Sequence, residues 1–219
     1  MTMKKSKEKN DILTIAAAKG YLLEGAVRLF EKIGIVFDED LSKSRKLFAI
    51  DTSNSVRLLQ VRPWDVSVYV EQGAADLGIV GKDVLYEKDD QVIRLLDLLY
   101  GECRLVLAGL KKVDPKELKH NIVVATKYPN SMQAYFKQLG IKARTLKLYG
   151  AVELAPLTGL ADLICDLTAS GQTLEENKLH ILDTVFHSSA VLIANQISMK
   201  FQYPIIKRIT QQLREVLKQ

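Results

Sequence analysis

The sequence predicts an α/β protein of two lobes, each built on a mostly parallel sheet, with a cleft between them. Short apolar runs alternate with amphipathic segments along the chain, which is the pattern of parallel strands joined by helices. The predicted strands are too many for one small sheet. A crossing near "GECRL" and a return near Ser188–Ala194 divide the chain into lobe I, residues 11–102 with 189–219, and lobe II, residues 103–188.

The first half of the chain supplies most of lobe I. Helices are predicted for "YLLEGAVRLFEKIG" (21–34), for "PWDVSVYVEQG" (63–73), and for "KDVLYE" (82–87). The second of these opens on Pro63 and closes on Gly73, which suit a first helical turn and a helix end. The predicted strands are "ILTIAAA" (12–18), "LFAID" (47–51), "VRLLQV" (56–61), "ADLGIVG" (75–81) and "VIRLLDLL" (92–99).

The second half supplies lobe II and the return to lobe I. The predicted helices are "DPKELKH" (114–120), "NSMQAYFKQLG" (130–140, capped by Asn130 or Ser131), "AVELAPLTG" (151–159), a short one from "LEEN" (174–177), and an amphipathic one over 200–218. The predicted strands are "CRLVLAGL" (103–110), "NIVVAT" (121–126), "ARTLKLY" (143–149), "ADLICDL" (161–167) and the long extended run "ILDTVFHSSAVLIAN" (181–195).

Composition excludes several classes of function. The net charge is +5, but four lysines lie in residues 1–10, which we expect to be a disordered tail, so the body is nearly balanced and nucleic acid is not the expected partner. No apolar run approaches the ~20 residues of a membrane helix, and no signal-peptide pattern opens the chain, so we expect a cytoplasmic protein without a membrane partner. We read Cys103 and Cys165 as buried thiols, and His120, His180 and His187 as structural or surface residues.

The stretch "DLTASGQTLEENKL" (166–179) has two readings. Thr173 and Glu176 form the T-x-x-E pattern of a capping box, which needs no ligand. The alternative is a phosphoribosyl site at a strand end, in which Asp166 accepts sugar hydroxyls. Gly171 then lets the backbone approach a phosphate, and hydroxyls of the loop donate to it. The loop alone does not decide between these readings.

A longer stretch, "ELAPLTGLADLICDLTASGQTL" (153–174), resembles the signature of ATP phosphoribosyltransferase. The matching positions are Glu153, Gly159, Ala161, Ile164, Asp166, Ser170, Gly171, Thr173 and Leu174. The resemblance implies a fold like that of type II periplasmic binding proteins. It also implies transfer of the phosphoribosyl group of 5-phosphoribosyl pyrophosphate (PRPP) to N1 of the adenine of ATP. The PRPP-binding residues that it implies are Glu153, Asp166, Thr168, Ala169, Ser170, Gly171, Gln172, Thr173 and Leu174.

The reaction calls for positioned cations rather than a nucleophile, because a polyanionic group must leave. The resemblance favours Lys19 and Arg45 as catalytic residues, and it favours Tyr21, Arg62, Lys82 and Asp83 as the ATP site. We expect Mg²⁺ as the cofactor, held by the substrate phosphates, with no metal ligand assigned to the protein. Where the family usually has Lys-Gly-Arg, this chain has Lys19-Gly20-Tyr21, and the aromatic ring is suited to stacking on adenine.

The resemblance also implies partners. The long form of the family carries a histidine-binding domain, for which residues after 200 leave no room, so we expect the short form. The short form works with a regulatory subunit related to histidyl-tRNA synthetase, so we expect a homodimer alone and a hetero-oligomer with the regulator. Two alternatives stay open: a two-lobed receptor for small molecules, and a type I purine phosphoribosyltransferase. The latter usually has two adjacent acids before its loop, where this chain has Cys165-Asp166.

Overall fold

The computed structural model describes residues 12–118 and 121–218. The expected tail, residues 1–10, and His120 lie outside the described residues. The chain divides into two compact units, each of which is made of more than one segment of the sequence. None of the described helices is both long enough and apolar enough to cross a bilayer.

Unit 1 is built on a six-stranded sheet. It comprises Met1–Leu85, Asp89–Gly101 and Ser189–Gln219. Its strands are β1 (Leu13–Ala18), β2 (Phe48–Ile50), β3 (Val56–Val61), β4 (Leu77–Gly81), β5 (Ile93–Asp97) and β11 (Ala190–Ala194), in the order β2-β3-β1-β4-β11-β5. Because β1 is parallel to both β3 and β4, the carboxyl ends of these three strands meet at one edge of the sheet.

Helices cover this sheet and complete its core. They are α1 (Tyr21–Lys32), α2 (Val66–Glu71), α3 (Lys82–Glu87), α7 (Ser198–Phe201) and α8 (Tyr203–Val216). The apolar stripe of α1, including Leu22, Ala26 and Phe30, is buried. Every residue of β4 and of β11 is buried, which explains why these strands read as continuous apolar runs rather than as alternating ones.

Unit 2 comprises Glu102–Ser188 together with Tyr86–Lys88, which lie at the end of α3. Its strands are β6 (Cys103–Gly109), β7 (Ile122–Thr126), β8 (Ala143–Lys147), β9 (Leu163–Thr168) and β10 (His180–Ser188), in the order β10-β6-β9-β7-β8. Its helices are α4 (Pro129–Gln138), α5 (Leu154–Leu157) and α6 (Gln172–Glu176). Since β7 is parallel to both β8 and β9, the carboxyl ends of these three strands are also neighbours.

The predicted α/β fold class is confirmed, but the sheets are mixed rather than mostly parallel. In the described part of the chain, four strand pairs are parallel and five are antiparallel. The long extended run of 181–195 accounts for part of the difference. It is divided between β10 and β11, which belong to different sheets and pair antiparallel with all their neighbours.

Four predicted helices are shorter or broken. The segment 151–159 is helical only over α5, Leu154–Leu157. The segment 63–73 begins as a 3-10 turn at Pro63–Asp65 before α2, and 114–120 forms only a 3-10 turn at Pro115–Glu117 within its described part. The predicted terminal helix is two helices, α7 and α8, separated at Gln202. Pro204 lies in the first turn of α8, where its missing N–H removes no helical hydrogen bond, and it favours a new start there.

The predicted cap of α4 is wrong. The helix begins at Pro129, and neither Asn130 nor Ser131 caps it with its side chain. The Glu87 carboxylate instead accepts hydrogen bonds from the N–H groups of Asn130 (2.8 Å) and Ser131 (2.9 Å). Because a carboxylate has two acceptor oxygens, it satisfies two of the unpaired N–H groups of the first turn.

Candidate functional sites at the strand ends of each unit

Lys19, Arg62 and Lys82 directly follow the three parallel strands β1, β3 and β4 of unit 1. The N–H of Lys19 donates to the carbonyl of Val61, at the end of β3, at 2.9 Å. The register therefore places the three cationic residues at one sheet edge, although they are up to 63 positions apart in the chain. We call this edge the unit 1 strand ends.

The same edge presents the start of α1. Gly20 has a φ of 98°, a conformation that favours glycine, and no side chain caps the 12-residue helix that follows. Tyr21, the first residue of α1, is 58% exposed, and its ring lies against Gly101. An uncapped helix N-terminus beside an exposed lysine attracts anions, and an exposed tyrosine ring can stack on a base.

Arg45 belongs to the irregular segment between α1 and β2. The segment reaches the same edge, because the N–H of Gln60 near the end of β3 donates to the carbonyl of Leu47 at 2.8 Å. Arg45 is exposed, and its side chain forms no ion pair with any other residue in 12–118 or 121–218. Its position is therefore compatible with the predicted role, and so is that of Arg62, which is exposed at the start of its 3-10 turn.

Lys82 and Asp83 differ from the other predicted site residues of unit 1. The Lys82 ammonium forms an ion pair with Asp97 at the end of β5, and Asp97 also accepts from the Ser189 hydroxyl at 2.8 Å. Burial alone would raise the pKa of Asp97, but the hydrogen bonds from Lys82 and Ser189 outweigh it and lower that pKa. Asp83 is buried. Neither side chain is thus as accessible to a ligand as Lys19 or Arg62.

In unit 2, the loop after β9 is organised by its own hydroxyl groups. The N–H of Gly171 donates to the Thr168 hydroxyl at 2.8 Å, and the N–H of Gln172 donates to the Ser170 hydroxyl at 3.3 Å. Gly171 has a φ of 86°, which an L side chain rarely adopts. Ala169 and Ser170 are exposed at the turn of the loop.

The structure decides against the capping box. α6 begins at Gln172, and its N-cap is Gly171, so Thr173 is already the second residue of the helix. Glu176 accepts from the Gln172 side chain at 2.9 Å instead of reaching back to an N-cap. Thr173 is exposed, and its hydroxyl makes no hydrogen bond to any other described residue. Leu174 is buried in the core of unit 2 and holds the loop in place.

Asp166 is half-buried near the end of β9 and accepts from the N–H of Leu167 at 2.9 Å. Burial raises the pKa of Asp166 to about 6, and the charge of Glu153 adds to this effect, whereas the Leu167 N–H and Lys127 oppose it. Glu153 sits at the N-cap position of α5, after β8, and does not cap that helix with its side chain. The loop, Asp166 and Glu153 thus lie together at the unit 2 strand ends.

Lys127 is a residue of this edge that the sequence reasoning missed. It follows Thr126, which pairs with Cys165 of β9, so it lies beside Asp166. The buried Thr126 hydroxyl donates to the carbonyl of Cys165 at 2.5 Å and accepts from the N–H of Tyr128 at 2.8 Å, which fixes the backbone around Lys127. Its position after a strand, like that of Lys19, was the signal that could have found it.

These edges carry no ready-made metal cage in the part of the chain that the structure describes. Among the residues described, no group of three or more His, Cys, Asp and Glu side chains could hold a metal ion. A pocket of about 630 Å³ in unit 1 lies at the opposite edge of the sheet, where Thr14, Arg57 and Asp76 line it. None of the predicted site residues lines this pocket.

Comparisons with known proteins agree on one family. The family model for HisG, described as ATP phosphoribosyltransferase, matches residues 62–215. The ATP phosphoribosyltransferase of Caldanaerobacter subterraneus subsp. tengcongensis is 45% identical over 207 residues, which cover 94% of this chain and 98% of that protein. The enzyme of Geobacter metallireducens is also 45% identical, over 93% of this chain and 98% of that protein.

Solved structures give the same result for the fold. A chain of the ATP phosphoribosyl transferase (HisG:HisZ) complex from Thermotoga maritima superposes with a TM-score of 0.80 at 34% identity, covering 94% of this chain and 99% of that one. The periplasmic aliphatic sulphonate binding protein SsuA from Escherichia coli superposes with a TM-score of 0.62 at 15% identity, over 94% of this chain and 68% of that one. At that identity the second likeness concerns the fold alone.

Proposed function

The chain belongs to the ATP phosphoribosyltransferase family, and on that premise we propose which of its residues bind the two substrates. The enzyme is a pentosyltransferase that joins N1 of the adenine of ATP to C1 of the ribose of PRPP and releases pyrophosphate, the first step of histidine biosynthesis. The receptor alternative rests on the fold only, and the relatives do not favour a type I purine phosphoribosyltransferase.

The PRPP site is the loop after β9 together with Asp166 and Glu153. One observation carries this assignment: the Thr173 hydroxyl, which the capping box would have occupied, is exposed and without a partner in the described chain. Thr168, Ala169, Ser170, Gly171 and Gln172 form the turn that presents the backbone to a phosphate, and Leu174 anchors it. Asp166 and Glu153 accept the hydroxyls of the ribose.

The ATP site is the unit 1 strand ends. Tyr21 stacks on the adenine, and the start of α1 with Arg62 attracts the phosphates. Lys19 and Arg45 act on the charge that develops as pyrophosphate leaves, since preorganised cations stabilise such charge without rearranging. Lys82 and Asp83 support this edge; the Lys82 ammonium reaches a ligand only if it leaves Asp97.

Mg²⁺ fits this assignment through the donor chemistry of the site. The ion is commonly held by substrate phosphates and waters with few protein ligands, so it would bind through the phosphates of the substrates and needs no carboxylate beyond those that accept the ribose hydroxyls. Bound to the phosphate oxygens, it would neutralise charge on the leaving group. The protein's own contribution is to hold two mutually repelling anions in the reactive geometry.

A regulatory subunit is the expected partner. The T. maritima relative comes from a HisG:HisZ complex, and this chain covers 99% of that relative, so we infer the short form. The histidyl-tRNA-synthetase-like regulator would make a hetero-oligomer, with a homodimer in its absence. A cytoplasmic location follows from the reaction, because ATP and PRPP are made and used inside the cell.

Binding measurements on a single hydroxyl test the PRPP site. We expect Thr173→Ala to weaken PRPP binding about tenfold, the usual effect of losing a hydrogen bond to a charged group, and to leave ATP binding unchanged. Thr145→Ala is the matched control, because the Thr145 hydroxyl is bonded to Gln133 in the same unit. Titration calorimetry with PRPP and with ATP separates the two sites. Unchanged PRPP affinity in folded Thr173→Ala protein would remove the loop from the substrate site.

A further inference from the structure

We propose that Arg104 binds a phosphate group of PRPP. The inference rests on the proposed PRPP loop and extends it to a strand that the loop does not include. Arg104 is the second residue of β6, the strand that pairs with β9 on the side away from β7. The sequence alone offered no reason to assign Arg104 to a substrate site, because a single arginine in an apolar strand is not part of a recognisable motif.

The register places Arg104 at the first residue of the loop. In the antiparallel pair of β6 and β9, Arg104 lies directly opposite Thr168, and Val106 lies directly opposite Asp166. Residues opposite each other share a face of the sheet, with Cβ atoms about 5 Å apart, and alternate residues along a strand return to that face. Arg104 therefore projects from the face that carries Asp166 and Thr168.

Arg104 has no anion of its own in the described structure. Its side chain is half-buried and forms no hydrogen bond or ion pair with any residue in 12–118 or 121–218. The residues opposite it are Thr168 in β9 and His187 in β10, and neither carries a negative charge. Glu102, two residues earlier and exposed, forms no ion pair with it. A partly desolvated guanidinium without an acceptor is unfavourable, and an anionic ligand would relieve that cost.

Asp166 is not an ion-pair partner of Arg104. The pKa of Asp166 responds to Glu153 and to Lys127, on the β7 side, and Arg104 forms no ion pair with it. Arg104 lies two residues nearer the loop, since Thr168 rather than Asp166 is its partner in the register. The guanidinium is thus placed for a group bound in the loop, and its planar fork of donors matches phosphate oxygens.

The pair of cations brackets the proposed site. Lys127 follows β7 on one side of β9, and Arg104 lies in β6 on the other. A sugar phosphate held by the loop would meet carboxylates at its hydroxyls and cations on both flanks. In this arrangement the carboxylates would bind the hydroxyls of the ribose and the cations would bind the phosphates of PRPP.

The test replaces Arg104 while keeping the length of its apolar stem. We expect Arg104→Met to weaken PRPP binding about tenfold to a hundredfold and Arg104→Lys to recover part of the loss, with ATP binding unchanged in both. Ribose 5-phosphate and inorganic pyrophosphate serve as separate probes, and the one whose affinity falls identifies the phosphate that Arg104 binds. Arg144→Met is the control, because Arg144 is exposed in β8 and pairs with Val123, near the opposite edge of the sheet. Thermal melting shows that each variant is folded.

The outcomes separate this proposal from the one on which it rests. Loss of PRPP binding in both Thr173→Ala and Arg104→Met supports both assignments. Loss in Thr173→Ala alone, with Arg104→Met like Arg144→Met, overturns the role of Arg104 and keeps the loop. Unchanged affinity in both variants overturns the loop and Arg104 together. A fall in ATP affinity alone for Arg104→Met also overturns the proposal. If Arg104→Met does not fold, the folded Arg104→Lys variant decides, since affinity equal to that of the wild type would contradict a bidentate contact.

Discussion

Replacing Asp166 by asparagine should stabilise the protein at neutral pH while it weakens substrate binding. Burial raises the pKa of this carboxyl to about 6, from an ordinary value of 3.8. A shift of about two pH units corresponds to about 3 kcal/mol. Because the folded state favours the protonated form, the carboxylate costs nothing below pH 4, the cost grows between pH 4 and 6, and it is complete above pH 6.

Asparagine removes the charge and keeps the acceptor that the N–H of Leu167 uses at 2.9 Å. The gain in free energy of unfolding is therefore expected to reach about 3 kcal/mol at pH 7.5 and roughly half of that at pH 5. For a chain of this size, 3 kcal/mol corresponds to an increase in Tm of about 6–12 °C. Urea unfolding followed by circular dichroism at both pH values measures the difference.

The control is Asp162→Asn, which changes an exposed carboxylate just before the same strand. It should give no gain at pH 7.5, because water already solvates that group and its bond to the N–H of Val123 (2.8 Å) is weakened. The stability that Asp166→Asn gains over wild type should be larger at pH 7.5 than at pH 5. An equal gain at both pH values would refute the proposed cost of burying the carboxylate. If Asp166→Asn were stabilised but bound PRPP with the affinity of the wild type, the raised pKa of Asp166 would have no connection with substrate binding.

Three further predictions concern charge and regulation. Arg45→Ala should lower turnover about a hundredfold and affect substrate binding less, the effect expected when one preorganised donor is lost; near-normal turnover, as expected of the control Arg144→Ala, would move the role to Arg62 and Lys19. Lys127→Met removes a charge that lowers the pKa of Asp166, so the pH at which PRPP affinity is half lost should move upward from about 6 in a binding titration; an unchanged midpoint would contradict the coupling. The isolated chain should be active with ATP and PRPP yet insensitive to histidine, and adding the regulatory subunit should bring inhibition, because allostery needs a second site that the effector occupies. Strong inhibition of the chain alone, at a site distinct from the substrates, would show that it carries its own effector site.

Much of the fold was predictable because hydrophobic period and apolar runs are local signals. The fully buried β4 and β11 and the amphipathic α1 lie where the sequence placed them. What failed depends on pairing between distant segments. The extended run of 181–195 gives no local sign that it is divided between two sheets, since both parts are apolar. The cap of α4 comes from Glu87, more than 40 residues before it, and no local pattern near Asn130 could reveal that.

The candidate site shows the same division between local and distant information. The loop of 168–174 could be proposed as a phosphate site because its residues are contiguous, and the structure removed the competing capping role by showing that α6 begins at Gln172. Lys127 and Arg104 were not predictable in this way. Their places depend on which strands flank β9, and sheet order is a property of the folded chain. A single cation in an apolar strand reads as an edge or surface residue until its neighbours are known.

The unit 2 strand ends carry charges that are poorly compensated within the described chain, and this is what a site for a charged sugar phosphate requires. The charged form of Asp166 is disfavoured by its burial and by the charge of Glu153. The half-buried Arg104 side chain has no acidic partner among the described residues. Asp166 would be more stable as the neutral acid, and in the proposed site the two groups would complement the hydroxyls and phosphates of one ligand. The cost is borne before binding, so the donors and acceptors need not rearrange when the substrate arrives. On this view the stability gained by Asp166→Asn and the affinity it loses have one cause, and a variant that showed the first without the second would break the link between them.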